Sequence, residues 1–158
     1  MFDFQLSSPI EFFSYKVPEN AIFSILIPSW KNYEHLKLVI ESIQKNSTYD
    51  HQICVHLNEG DIPSKNLLDT LKISHSISKE NTGVCFGFNA AGSFAACDYI
   101  VLIDDDMYLT PQWDKWLYDE IKKQNNPYWC ISGSMMERAG RNNNAVILCK
   151  NYGTNPLD

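Results

Sequence analysis

Three consecutive carboxylates follow an apolar stretch in the second half of this 158-residue chain. Residues Tyr99–Ile103 are predicted to form a buried strand, and Asp104, Asp105 and Asp106 come directly after it. In an extended segment alternate side chains point the same way, so Asp104 and Asp106 are expected to converge while Asp105 points elsewhere. Converging carboxylates repel one another unless a cation lies between them.

Oxygen ligands of this kind suit Mg²⁺ and Mn²⁺, and Mg²⁺ often binds one or two carboxylates together with the phosphates of a substrate. The carboxylates therefore indicate a divalent-metal site that faces a phosphorylated ligand. Two simpler interpretations stay open at this point. The three residues would also suit a solvated acidic loop, or they could cap a helix that is expected to begin near Thr110.

Strands and helices alternate along the part of the chain that leads to these carboxylates. Strands are predicted at 22–27, 52–57, 73–78 and 99–103, with Pro28 ending the first of them. Two later strands are predicted at 128–132 and 145–150. Residues 1–20 are expected to form an irregular lead-in, because Pro9 and Pro18 interrupt it.

Helices are predicted between these strands. In the first, Asn32 is expected to cap a helix whose apolar residues repeat at i, i+3, i+4 and i+7 (Leu36, Val39, Ile40 and Ile43). A loop at 58–64 precedes a short helix around 67–71. A third helix is expected at about 84–96, and its glycines suggest a close approach to a strand or to a ligand. Thr110 and Pro111 are expected to begin a fourth.

This order of elements predicts an α/β fold with a mainly parallel sheet and helices on both faces, because the early strands are continuously apolar. We assign residues 1–20 to the lead-in and residues 21–158 to one domain. In such sheets ligands bind beyond the carboxyl ends of the strands, where Asp104, Asp105 and Asp106 would lie.

The overall composition excludes several classes of protein. The net charge of -6 and the absence of a basic run argue against a partner that is a nucleic acid. The five cysteines are odd in number and have no CxxC spacing, which favours reduced thiols in a cytoplasmic protein. No signal peptide is visible, and no apolar run approaches the ~20 residues of a transmembrane segment.

Two segments of the chain resemble a known family of enzymes. They are FSILIPSWKNYEHLKLVIESI and ENTGVCFGFNAAGSFAACDYIVLIDDDM, and together they are similar to the nucleotide-sugar-binding half of glycosyltransferase family 2. The matching positions are Pro28-Ser29, Asn81-x-Gly83, Asn89, Gly92 and Asp104-x-Asp106, in the family's order. The resemblance extends over about residues 22–120 and implies the A-type glycosyltransferase fold, a nucleotide-diphospho-sugar transferase fold.

The resemblance also implies roles for individual residues. Pro28, Ser29 and Trp30 would border the base and ribose, and either Glu59 or Asp61 would read the base. Asp104 would approach the ribose or the metal, and Asp106 would bind the metal. The donor-binding set is Pro28, Ser29, Trp30, Glu59, Asp61, Asn81, Gly83, Asn89, Asp104 and Asp105, and the metal-binding pair is Asp104 and Asp106.

The reaction that the resemblance implies is transfer of a sugar from a nucleoside-diphosphate sugar to an acceptor hydroxyl, with inversion. The donor would be UDP- or GDP-linked, the acceptor a glycan or another hydroxyl compound, and the cofactor Mn²⁺ or Mg²⁺. The metal would neutralise the charge that builds on the leaving nucleoside diphosphate.

The chain departs from the family pattern at two points. Phe88 stands where many relatives have an arginine. The family's catalytic base lies well downstream of Asp-x-Asp, and Glu137 is the only carboxylate in the late loop apart from the terminal Asp158. A domain truncated on its acceptor side, which binds a nucleotide sugar without turning it over, is therefore an alternative. A second alternative is a phosphatase-like hydrolase with Asp104 as nucleophile, although Tyr108 does not fit the pattern of that class.

Overall fold

The computed structural model describes residues 9–126 and 128–133 of the chain. Five strands form one sheet in the order β1-β4-β3-β2-β5. Their bounds are β1 Glu11–Phe13, β2 Phe23–Trp30, β3 Gln52–Asn58, β4 Ser74–Ile77 and β5 Tyr99–Leu102. The helices in the described residues are α1 Tyr33–Asn46, α2 Ile62–Leu71, α3 Val84–Gly92 and α4 Trp113–Ile121.

The sheet is parallel except at one edge. Strand β2 pairs in parallel with β3 and with β5, and β3 pairs in parallel with β4, whereas β1 is antiparallel to β4. This arrangement confirms the predicted α/β class with a mainly parallel sheet. The chain divides into two compact units at Trp116, and the whole sheet with α1, α2 and α3 belongs to the first.

The core of this first unit lies on both faces of β2. The side chain of Leu26 packs with Phe88 and Ala91 of α3. Ile25 and Ile27 point to the opposite face, because side chains alternate along a strand, and they are fully buried. The apolar face predicted for α1 is confirmed, since all four of its residues (Leu36, Val39, Ile40 and Ile43) are buried.

Pro28 lies inside β2 and does not end it, so that prediction was wrong. The carbonyl of Leu26 faces β5 and accepts a hydrogen bond from the backbone N–H of Ile103 at 3.2 Å. The backbone of Pro28, two residues further on, faces the same side, where the pairing with β5 has already ended at Leu102. A proline costs no ladder hydrogen bond at such a position, and β2 therefore continues to Trp30.

Several other boundaries differ from the prediction. Helix α2 begins inside the predicted loop, because the carboxylate of Asp61 accepts a hydrogen bond from the N–H of Ser64 at 2.8 Å and caps the helix. The lead-in contains β1, which completes the edge of the sheet. Helix α3 ends at Gly92 rather than near Ala96.

The last elements also differ. Helix α4 begins at Trp113 rather than at Thr110, and residues 128–132 form no strand. The strand predicted at 145–150 lies outside the described residues. None of the helices in the described part of the chain is both long enough and apolar enough to cross a membrane.

Gly87 lies in the middle of α3, where the helix contacts β2 and β3. A Cβ atom at Gly87 would lie 2.8 Å from the Cβ of Pro28 and 3.3 Å from the Cδ2 of His56. The close approach predicted from the glycines of this helix is therefore an approach to the strands. Gly92, at the end of the same helix, has its nearest such neighbour at 3.4 Å, an ordinary van der Waals distance.

These two glycines give a matched prediction. Gly87→Ala is expected to destabilise the fold by about 1–3 kcal/mol, because the new methyl group overlaps Pro28 on a rigid strand. Gly92→Ala is expected to be neutral or to stabilise by up to ~1 kcal/mol, because alanine is the better helix former. Urea unfolding of both variants measures the difference, and equal stabilities would contradict the packing described here.

Candidate functional site

A cleft of about 470 Å³ opens at the carboxyl ends of β2, β3 and β5. It is lined by Pro28, Ser29, Trp30, Asn32, Asn58, Asn81, Gly83, Val84, Asp104, Asp105 and Asp106. The cleft thus brings together most residues of the predicted site, and leaves out Glu59, Asp61 and Asn89. A second cleft of similar volume, about 470 Å³, lies at the amino ends of β3 and β4 and contains none of them.

The three carboxylates lie on a turn rather than on an extended segment. Strand β5 ends at Leu102, and the N–H of Met107 donates to the carbonyl of Asp104 at 3.4 Å. Asp104 and Asp106 are exposed and Asp105 is half-buried. Although Asp104 is exposed overall, partial desolvation of its carboxylate, followed by the neighbouring charges of Asp106 and Asp105, raises its pKa above the ordinary value. A cation beside Asp104 would stabilise its charged form.

Asp105 connects the acidic turn to the end of β2. Its carboxylate accepts hydrogen bonds from the hydroxyl of Ser29 at 2.6 Å and from the side-chain amide of Asn32 at 3.0 Å. The amide oxygen of Asn32 in turn lies 2.7 Å from Nδ1 of His35. Asn32 is the residue before α1, as predicted, but its side chain makes no capping hydrogen bond, and its side-chain oxygen, the atom that would accept one, faces Nδ1 of His35.

Glu59 is bound to the last residue of β2 and to the residue that follows it. Its carboxylate accepts a hydrogen bond from Nε1 of Trp30 at 2.9 Å and pairs with Nζ of Lys31 at 2.6 Å. The hydrogen bonds from Lys31 and Trp30 hold the pKa of Glu59 below its ordinary value. Trp30 lines the cleft and is 54% exposed. Glu59 itself does not line the cleft, but it holds the indole of Trp30, which does.

Two further residues of the predicted set do not line the cleft. Asp61 caps α2, as described above, and Asn89 lies on an exposed part of α3. The predicted catalytic residue Glu137 lies outside the described residues.

Asn58 is a cleft residue that the sequence reasoning missed. It is the last residue of β3 and is 4% exposed. Its side-chain oxygen accepts hydrogen bonds from the backbone N–H of Thr82 at 2.9 Å and from its hydroxyl at 2.8 Å. Asn58 is an amide, so looking only for carboxylates after β3 does not find it. A polar residue at the end of an apolar parallel strand is nevertheless a general indication of a ligand site.

The segment before α3 forms another wall of the cleft. The N–H of Gly83 donates to the side-chain oxygen of Asn81 at 2.9 Å, and Gly83 has a φ of 82°, which favours glycine. Gly83 and Val84 both line the cleft, so α3 begins there. The N-terminus of a helix carries a partial positive charge and unpaired N–H groups that suit an anion.

A buried histidine lies beneath this wall. His56 is fully buried, and its Nδ1 lies 2.8 Å from the hydroxyl of Ser76. Its Nε2 lies 3.3 Å from the hydroxyl of Ser78 and 3.5 Å from that of Thr82. Burial lowers the pKa of His56 from 6.5 to about 4, and the neighbouring side chain of Asn58 opposes this shift only in part. The imidazole is therefore neutral at pH 7.

The described residues contain no group of three or more His, Cys, Asp or Glu side chains able to hold a metal ion. A pair of carboxylates is nevertheless compatible with Mg²⁺ or Mn²⁺ when phosphate oxygens complete the coordination. Neither Asp104 nor Asp106 has a side-chain hydrogen bond or ion pair with another described residue, so both carboxylates are accessible to such an ion. The donor set therefore fits a metal that binds together with a phosphorylated ligand.

Comparison with known protein families gives a match to the sequence of this chain. The family model described as Glycosyl transferase family 2 matches residues 24–154, which is most of the chain. No curated protein matches the chain.

The buried histidine gives a prediction for stability. In the unfolded chain His56 binds a proton near the ordinary pKa of 6.5, whereas in the folded chain it does so only near 4. The contribution of neutral His56 to the free energy of unfolding is therefore fully present above pH 6.5 and is lost as the pH falls toward 4. Between about pH 7.5 and about pH 5, His56 is expected to remove about 2 kcal/mol from the free energy of unfolding.

Urea unfolding at the two pH values measures this loss. In His56→Gln the loss is expected to be smaller, although some remains because burial also lowers the pKa of His51 and His75. An identical loss in both proteins would contradict the assignment to His56.

Proposed function

Because this chain belongs to glycosyltransferase family 2, we propose that it transfers a sugar from a nucleoside-diphosphate donor to an acceptor hydroxyl with inversion. The donor is UDP- or GDP-linked, and it occupies the cleft at the carboxyl ends of β2, β3 and β5. The acceptor is a glycan or another compound with a free hydroxyl group. Family membership supports glycosyl transfer in general, and the contents of the cleft support this more specific proposal.

One observation carries the proposal: three kinds of group suited to a nucleoside diphosphate line the same cleft. The exposed ring of Trp30 offers an apolar face to a base or sugar. The N-terminus of α3, at Gly83 and Val84, suits a phosphate group. The exposed carboxylates of Asp104 and Asp106 suit a divalent cation that accompanies a diphosphate.

We propose that Asp104 and Asp106 hold Mn²⁺ or Mg²⁺. Bound there, the ion would neutralise charge on the leaving nucleoside diphosphate. Both carboxylate oxygens of Asp105 already accept hydrogen bonds, one from Ser29 and one from Asn32, so neither oxygen is free to bind the ion. Its role is to fix the acidic turn against the end of β2, close to the predicted ribose position.

The apolar residue Phe88 bears on which groups supply positive charge to the phosphates. It stands where many relatives have an arginine, and here it packs against Leu26, Cys54 and Ala91. Helix α3 contains no charged residue at all. The partial charge at the N-terminus of this helix is therefore the contribution that α3 makes to binding an anion.

Glu137 remains the candidate general base. A base must come within ~3 Å of the acceptor hydroxyl, directly or through one water molecule, to remove its proton. The family match favours neither a binding-only domain nor a phosphatase-like hydrolase. The cysteines among the described residues are all free thiols, which supports a reducing compartment such as the cytoplasm.

The first functional prediction concerns the metal. Mn²⁺ or Mg²⁺ is expected to strengthen binding of UDP or GDP, and Asp106→Ala is expected to abolish that gain because one of two oxygen ligands is lost. A nucleotide present at 100 times its dissociation constant should add about 2.7 kcal/mol of stability.

Calorimetric titration with UDP and GDP, in Mn²⁺ and in a chelator, measures the effect. Asp98→Ala serves as a control, since Asp98 precedes β5 at its opposite end. Equal affinities in metal and in chelator would reject the proposed metal site, and no binding of either nucleotide would reject the proposed donor cleft.

The second functional prediction separates the two candidate base-reading residues. Glu59→Ala is expected to weaken nucleoside binding several-fold, because Trp30 loses the acceptor of its indole N–H, without changing the metal requirement. Asp61→Ala is expected to leave affinity unchanged and to cost about 0.5–2 kcal/mol of stability through loss of the helix cap. Titration with uridine and guanosine nucleotides, together with urea unfolding, distinguishes them. Unchanged affinity in Glu59→Ala would exclude this residue from donor binding.

A further inference from the structure

A network of buried hydrogen bonds connects three parts of the chain beneath the cleft. His56 lies in β3, Ser76 in β4, and Ser78 and Thr82 in the segment that leads from β4 to α3. Two contacts of the ring, to Ser76 at 2.8 Å and to Ser78 at 3.3 Å, hold it from both nitrogens. The ring also lies edge-on to Phe86 of α3, with 6.1 Å between ring centroids.

The neighbouring hydroxyl groups determine which nitrogen of His56 carries the proton. Ser78 donates its hydroxyl proton to the carbonyl of Glu80 at 2.7 Å, and Thr82 donates its proton to the side-chain oxygen of Asn58 at 2.8 Å. Neither hydroxyl therefore has a proton left for Nε2. Nε2 must be the donor, and Nδ1 must accept from the hydroxyl of Ser76.

Thr82 transmits this arrangement to the cleft. Its hydroxyl lies 3.5 Å from Nε2 of His56, and both its hydroxyl and its backbone N–H donate to Asn58. The next residue, Gly83, and the preceding residue, Asn81, line the cleft. The wall at the start of α3 is thus fixed from below by Asn58, and Asn58 and Thr82 are in turn held beside the imidazole.

We propose that neutral His56, protonated at Nε2, is a positioning residue for the donor: through Thr82 and Asn58 it fixes segment Asn81–Val84, one wall of the cleft. This inference rests on the proposed function, because the cleft is taken to bind a nucleoside diphosphate. His56 itself is fully buried and does not line the cleft. Nothing in the spacing of the sequence distinguishes it from the other buried histidines.

The test compares His56→Phe with His56→Gln. Phenylalanine keeps the ring but removes both hydrogen bonds, whereas glutamine can restore a donor near the position of Nε2. In His56→Phe, the dissociation constant for UDP or GDP with Mn²⁺ is expected to rise about tenfold, the equivalent of roughly one hydrogen bond. His56→Gln is expected to recover part of that affinity.

A second measurement needs no ligand. The backbone N–H of Thr82 donates to Asn58, and its protection from hydrogen exchange is expected to fall in His56→Phe and to recover in His56→Gln. His75→Phe is the matched control, since His75 is equally buried on the adjacent strand but contacts the carbonyl of Ile73 and no residue of the cleft. It is expected to change stability while leaving Thr82 protection and nucleotide affinity unchanged.

Unchanged protection of Thr82 and unchanged affinity in folded His56→Phe would overturn the inference. If that variant does not fold, Thr82→Val removes the hydroxyl group between the ring and Asn58 and leaves His56 in place. Unchanged affinity in Thr82→Val would then overturn it equally. Failure of the unsubstituted chain to bind any nucleoside diphosphate would reject the proposed function instead, and the exchange of the Thr82 amide would still report on the role of His56.

Discussion

The contact between α3 and the strands at Gly87 determines where the walls of the cleft lie. A Cβ at this position would come within 2.8 Å of Pro28, so the helix can approach the sheet this closely only with glycine there. The approach places the first residues of α3 beside the carboxyl ends of β2 and β3. Pro28, on the other side of the contact, lines the cleft and also tolerates the loss of pairing beyond the end of β5. One packing contact therefore sets both how closely α3 packs on the sheet and where the N-terminus of α3 lies.

Hydrogen bonding then decides which acidic groups remain available to a ligand. Asp105 is bound to Ser29 and Asn32, Glu59 to Trp30 and Lys31, and Asp61 to the first turn of α2. Asp104 and Asp106 have no such side-chain partner among the described residues. Burial and, after it, the neighbouring charges of Asp106 and Asp105 raise the pKa of Asp104, so its charged form is disfavoured where no counter-ion is bound. The pair is thus the part of the acidic cluster that would gain most from a cation.

Much of this arrangement could be predicted from the sequence, and the failures share a cause. The continuous apolar strands and the four buried positions of α1 follow from periodicity, which depends only on local geometry. Whether Pro28 ends β2 depends instead on where the neighbouring strand β5 ends. The roles of Asn32, Asp61 and Asn58 depend on partners that come from other elements or from the adjoining turn. Residue type alone does not tell a capping carboxylate from a ligand-binding one. Asn58 was missed because only acidic residues were considered after β3, whereas an amide at a buried strand end can hold a wall of the cleft.

The ends of β2 and β3 show how the sheet supports the site. Trp30 and Asn58 are paired in the parallel register, and each is followed by a residue with positive φ, Lys31 at 51° and Glu59 at 52°. Such a conformation costs a residue with a side chain roughly 1–2 kcal/mol. The ion pair between Lys31 and Glu59 is partly exposed, and pairs of that kind contribute only about 0–1 kcal/mol. The pair therefore offsets little of the cost of two strained residues. Packing of the strands beneath must offset the remaining cost. The two strained residues lie next to Trp30 and Asn58, the side chains that the strands present to the cleft, and strained backbone is common beside binding sites.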